Sequence, residues 1–131
     1  MKEDDVISVQ GKAMNSVTSN VAVYGDLLFT TQIPLREDGS VELGSITAQS
    51  ECTLRSLKVA LEQSGSSLDR VLHLTIYLIN PEDRPGFDAT YRQFFKKPCP
   101  VHAGIRVTSL GVSGVRVEVS AVAAKGKSQP A

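Results

Sequence analysis

The chain is poor in most of the features that would name a chemistry at once. It holds two cysteines and two histidines in 131 residues. Cys52 and Cys99 lie far apart with no C-x-x-C spacing, so neither a zinc site nor a redox dithiol is indicated. His73 and His102 have no cysteine or carboxylate cluster beside them, which argues against a bound metal. Charge of one sign is also lacking, because 14 basic residues balance 14 acidic ones. Nucleic-acid binders carry a basic excess on some face, and an aromatic share of 5% leaves few rings for base stacking. No apolar run approaches the roughly 20 residues of a membrane helix. The opening stretch "MKEDDVISVQ" is acidic and short of apolar residues, unlike a signal peptide. These absences set the expectation of a cytoplasmic protein with no nucleic-acid partner and no membrane partner.

What is present reads as one domain spanning 1–131, with frayed ends at about 1–15 and 126–131. An apolar share of 41% is enough for a core, though a short chain buries a limited fraction of its surface. "VAVYGDLLFTT", residues 21–31, predicts two strands about a Gly25-Asp26 turn. Leu54, Leu57 and Leu61 recur at helical spacing in 47–64, with Gly65 placed to end that helix. A second stripe, Ala48, Cys52 and Val59, lies on its other side and fits either the edge of the core or a partner contact. "RVLHLTIYLI", residues 70–79, predicts a strand with Leu72, Leu74, Ile76 and Leu78 on an apolar face, and Val71, His73, Thr75, Tyr77 and Ile79 on a mixed one. Phe87, Tyr91, Phe94 and Phe95 form the stripe of a helix over 84–97, with Asp83 as its cap and Pro85 in its first turn. Two more strands follow at 101–108 and 115–124. The second alternates Val115, Val117, Val119, Ala121 and Ala123 against Arg116, Glu118, Ser120, Val122 and Ala124. The order β-β-α-β-α-β-β predicts an α+β domain with two helices packed on one face of a mixed sheet.

At this point the sequence resembles a known family, the Rid or YjgF family of reactive-intermediate deaminases. The likeness covers roughly residues 18–125. It is carried by "GDLLFTTQIPL", "LKVALEQSGSSLDRVLHLTIYLIN", "FDATYRQFF" and "PVHAGIRVTSLGVSGVRVEVSAVA", in that order and spacing. It implies a chorismate-mutase-like fold and a homotrimer with three clefts between subunits. It also implies hydrolysis of small imines or enamines such as 2-iminopropanoate, without a metal or organic cofactor. In that chemistry an arginine grips the substrate carboxylate through two parallel hydrogen bonds. A glutamate and backbone groups steer water onto the C=N carbon and handle its protons.

Several cleft positions depart from the family pattern. Its arginine, two residues after the proline that opens the fifth strand, matches His102 after Pro100. Its water-positioning glutamate matches Ser120, and its cleft cysteine matches Gly104. The asparagine of its N-A-T-Y helix start is Asp88, its T-S-G-Q strand is shortened to Thr30-Thr31-Gln32, and its N-terminal tyrosine falls at Thr18. An imidazole cannot reproduce a guanidinium fork, and losing a charged hydrogen bond costs about 1.5–3 kcal/mol. The resemblance therefore implies a divergent member without 2-iminopropanoate deaminase activity. His102, Ser120 and Glu118 are the candidate catalytic residues. Thr31, Asp88, Gly104 and Arg106 are the candidate substrate contacts. Arg106 shares a strand side with His102 and Gly104, about 13 Å beyond His102, and fits either a substitute cation or a surface ion pair. His73 fits a subunit contact, and Cys99 between two prolines fits either a reactive or an inert thiol. Three functions stay open: hydrolysis of another small molecule, binding of a metabolite without turnover, and action on RNA. Balanced charge and few aromatics disfavour the last.

Overall fold

The computed structural model describes residues 7–10 and 18–126. Six strands form one sheet: β1 (Ile7–Gln10), β2 (Val21–Tyr24), β3 (Leu27–Gln32), β4 (Val71–Leu78), β5 (Val101–Arg106) and β6 (Val117–Ala124). Their spatial order is β1-β2-β3-β6-β4-β5. All neighbours are antiparallel except β4 and β5, which run parallel. A parallel pair needs a crossover, and helix α2 (Arg84–Phe94) supplies it. Helix α1 (Ile46–Gln63) carries the chain from β3 to β4 and packs on β3, β6 and α2. This is the mixed-sheet α+β arrangement that the sequence predicts.

Local chemistry explains where the elements begin and end. The Ser45 hydroxyl accepts a hydrogen bond from the Ala48 amide at 3.1 Å, covering one of the orphan donors of the first turn of α1. Gly65, at φ +83°, ends α1 in a left-handed cap, with the Ser66 amide donating to the Leu61 carbonyl at 2.8 Å. Asp83 precedes α2 but makes no capping hydrogen bond. Its buried carboxylate turns instead to Arg116, which donates to both oxygens at 2.6 and 3.1 Å and ties the start of α2 to the residue just before β6.

The core lies between the helices and one face of the sheet. Leu54, Leu57 and Leu61 of α1, Phe87 and Tyr91 of α2, Leu74, Ile76 and Leu78 of β4, and the odd-numbered residues of β6 are all buried. Each buried valine, leucine, isoleucine or phenylalanine among them contributes about 1.5–3 kcal/mol through removal from water. The α1 stripe and the β6 alternation follow the sequence expectation. The start of β4 does not. A bulge between Val71 and His73 interrupts the pairing with β6. Val71 is therefore buried, whereas Leu72, expected on the apolar face, is 48% exposed. Another difference is β1, which pairs with β2 through Ile7–Gln10, within a stretch the sequence reading leaves frayed. The remainder of that stretch and the expected frayed tail from 127 onward lie outside the described residues.

Candidate functional site

Sheet parity decides where each candidate side chain goes. Register pairs Leu74 with His102, Ile76 with Gly104 and Leu78 with Arg106, so these β5 residues share the helix-covered face. Register also pairs Thr31 with Ser120, Thr75 with Ser120, and Tyr77 with Glu118. Those residues lie on the opposite, uncovered face. The candidates thus form two groups on two sides of one sheet.

The first group gathers at the outer edge of the sheet, beneath the start of α2. His102 packs edge-on against Tyr91, with ring centroids 5.5 Å apart at 81°. Arg84, the first residue of α2, donates from Nε to Asp88 Oδ1 at 2.8 Å. Its Nη2 lies 3.3 Å from His102 Nε2. A guanidinium has only donors, so this contact requires Nε2 to be the acceptor and the ring proton to sit on Nδ1. Nη1 of the same guanidinium points at Gly104, where a Cβ would collide with it. Asp88, His102 and Gly104 therefore meet around a cation that the sequence reading does not single out. Two signals point to it: the i,i+4 spacing of Arg84 and Asp88, and a glycine inside a strand, which marks a close approach. Arg106 is exposed on the same side of β5. Burial pushes the Tyr91 hydroxyl up to about 12, so it stays protonated and acts as wall rather than base.

The second group lines an open depression of about 810 Å³ on the uncovered face. Thr31 Oγ1 and Ser120 Oγ share a hydrogen bond of 2.9 Å. Glu118 and His73 border the same space, as do Thr18 and Asn20. Burial pushes the Glu118 carboxyl up, which moves it toward the range useful for proton transfer. Behind this wall Gln32 donates to Asn20 Oδ1 and Thr30 Oγ1, both at 2.8 Å, and accepts from Ser56 at 2.6 Å. That network fixes β3 to α1.

A third concavity of about 840 Å³ runs along the outer side of α1 and includes the Ala48, Cys52 and Val59 stripe. Burial pushes the Cys52 thiol up, away from the nucleophilic thiolate. Cys99 is a free, exposed thiol. Among the described residues, no group of three or more His, Cys, Asp or Glu side chains could hold a metal ion. Among them, too, no helix is long and apolar enough to cross a membrane.

The fold agrees with comparison to known proteins. The family model for endoribonuclease L-PSP matches residues 10–125. The chain belongs to this family, the Rid/YjgF group. Protein HMF1 of Saccharomyces cerevisiae is 31% identical over 121 residues, covering 92% of this chain and 93% of the relative. A RutC family protein of Pyrococcus abyssi is 30% identical, covering 82% and 85%. Among solved structures, the yeast protein YEO7 superposes with a TM-score of 0.84 at 30% identity, over 92% of this chain and 99% of the other. A Rid-family protein of Yersinia pestis, YyfA, shares the fold at a TM-score of 0.84 and 23% identity, over 91% and 99%. The Rid-type chain thus keeps the family scaffold.

Proposed function

We propose that this Rid-family chain assembles into a homotrimer whose inter-subunit clefts take a small carboxylate or carbonyl compound, with hydrolysis of a C=N bond as the reaction type. The observation that carries the reading is the division of the candidate residues between opposite faces of the sheet. One face offers a cation, Arg84, framed by Asp88 and His102. The other offers a hydroxyl pair, Thr31 and Ser120, next to a carboxyl of raised proton affinity, Glu118. Within one chain the sheet separates them. Against a second copy, the edge of one sheet can meet the uncovered face of the next. The uncovered face supplies the adhesive surface, because Tyr24, Leu27, Phe29, Val101 and Ile105 are exposed there, Val101 to 66%. A sheet face this apolar suits contact with another chain rather than with water.

In such a cleft the Thr31–Ser120 pair orients a water molecule and Glu118 takes its proton. The water oxygen bonds to the imine carbon, and the proton passes to nitrogen. Glu118 then carries the remaining hydroxyl proton to nitrogen as the C–N bond breaks, releasing ammonia and leaving a ketone. Ser120 cannot itself act as the carboxylate base implied by the resemblance, and His102 cannot act as the fork. Turnover of 2-iminopropanoate should accordingly be slow. The cytoplasmic location expected from the sequence belongs to the same reading. The test couples the purified protein to an enzyme that generates 2-iminopropanoate and follows keto-acid release. The expected rate lies far below that of arginine-bearing members. A rate equal to theirs would refute the altered chemistry. The alternative, a cleft that binds without turnover, is supported if small carboxylates or carbonyl compounds raise the melting temperature and no substrate is consumed.

A further inference from the structure

The histidine at the helix-side edge of the sheet is held on two sides. Buried Tyr91 meets its imidazole edge-on, with ring centroids 5.5 Å apart. Arg84 Nη2 lies 3.3 Å from its Nε2. Nε2 must accept in that contact, so the ring is uncharged and its one proton sits on Nδ1. Nδ1 makes no hydrogen bond among the described residues, and His102 is exposed. The neighbouring cation is committed elsewhere. Arg84 Nε donates to Asp88 at 2.8 Å, and its terminal nitrogens lie end-on against His102 and Gly104. Gly104 is what admits Nη1, since a Cβ there would collide with it. The guanidinium so placed presents no open two-pronged donor to a carboxylate. Asp88 offsets its charge, which leaves the cluster neutral. Arg106 stands about 13 Å along β5 from His102, beyond the span of a three-carbon ligand. What this edge offers is one uncharged N–H. Such a donor suits a carbonyl oxygen or an imine nitrogen, but returns too little to offset the desolvation of a carboxylate.

We propose that His102 sets the specificity of the cleft as a neutral donor through Nδ1–H, held in that tautomer by Arg84, and that its ligands are small uncharged carbonyl or imine compounds rather than carboxylates. Arg84 and Asp88 are positioning residues here, because they act through the imidazole. Gly104 makes room for the guanidinium that does so. This inference rests on the cleft reading above, and the experiment separates the two.

Calorimetric titration of the full chain compares pyruvamide with pyruvate, which has the same shape and a charge. The wild-type protein is expected to bind pyruvamide more tightly. His102→Phe keeps a ring against Tyr91 and removes the donor. It should lower pyruvamide affinity by about two- to tenfold, the range for one neutral hydrogen bond, and leave pyruvate affinity unchanged. Nitrogen-15 NMR of the His102 ring reads the tautomer itself. The wild type should show a protonated Nδ1 and an unprotonated Nε2. Arg84→Leu should release the ring to exchange its proton between the two nitrogens, a change that loss of packing alone would not produce. If the wild type prefers pyruvate, the assignment of His102 fails and the cleft reading stands. If it binds neither compound, both fall. An Arg106→Ala variant that loses a pyruvate preference would name Arg106 as the cation and overturn the proposal. Should His102→Phe not fold, the wild-type spectrum decides, and a proton on Nε2 overturns the proposal.

Discussion

Among the described residues, Asp83 and Arg116 form the one ion pair whose carboxylate is almost wholly shielded, with side-chain exposures of 4% and 36%. Removing the arginine strands a buried charge, whereas the pair itself adds little net stability. Arg116→Met should therefore lower the unfolding free energy by about 2–3 kcal/mol, the low end for a broken buried pair because Arg116 is partly solvated. Urea denaturation reads this directly. Glu118 gives a prediction of opposite sense. Burial raises its proton affinity, so the folded chain binds that proton more readily than the unfolded chain does. Its ionisation then works against folding as pH rises above the ordinary value of 4.5, and not below it. Glu118→Gln should melt higher than the wild type at pH 7 and no higher at pH 4. Arg84 shows the limit of sequence reasoning at this scale. An arginine before a proline at a helix start reads as a solvated residue. Only the parallel crossover that lays α2 beside β5 brings it onto His102 and Gly104.

At the scale of elements, the sequence is most legible where a period runs unbroken. The alternation of β6 and the leucine stripe of α1 both bury the residues that their spacing selects. The aromatic stripe of α2 does so for Phe87, Tyr91 and Phe95, with Phe94 half-buried. Strand β4 shows why a period can mislead. One bulged residue shifts every side chain before it, which exposes Leu72 and buries Val71 without any change in composition. Leu74→Ala should cost about 2–5 kcal/mol through lost burial and the cavity left behind. Leu72→Ala should cost less than about 1 kcal/mol, as for an exposed position. Equal costs in urea denaturation would return Leu72 to the core and remove the bulge. Asp83 illustrates a related ambiguity. Its place before α2 fits a cap, yet Arg116, distant in sequence, takes the carboxylate.

At the scale of the molecule, family and fold are legible because they rest on many residues in order. The division of the site is not, because it depends on which face each strand presents. His102 and Ser120 are both strand residues, and a reading of either alone cannot tell that the sheet lies between them. Parity makes the consequence specific: a cleft that uses both needs two copies of the chain. Phe29, 43% exposed on the uncovered face, is a suitable place to interrupt that association. Phe29→Glu adds a charge to the proposed apolar contact and should dissociate the proposed assembly while leaving the fold of each chain intact by circular dichroism. Light scattering of the unmodified protein at micromolar concentration is the most direct measurement of all. The proposed homotrimer predicts a mass of three chains, and a mass of one chain at that concentration would contradict any shared cleft.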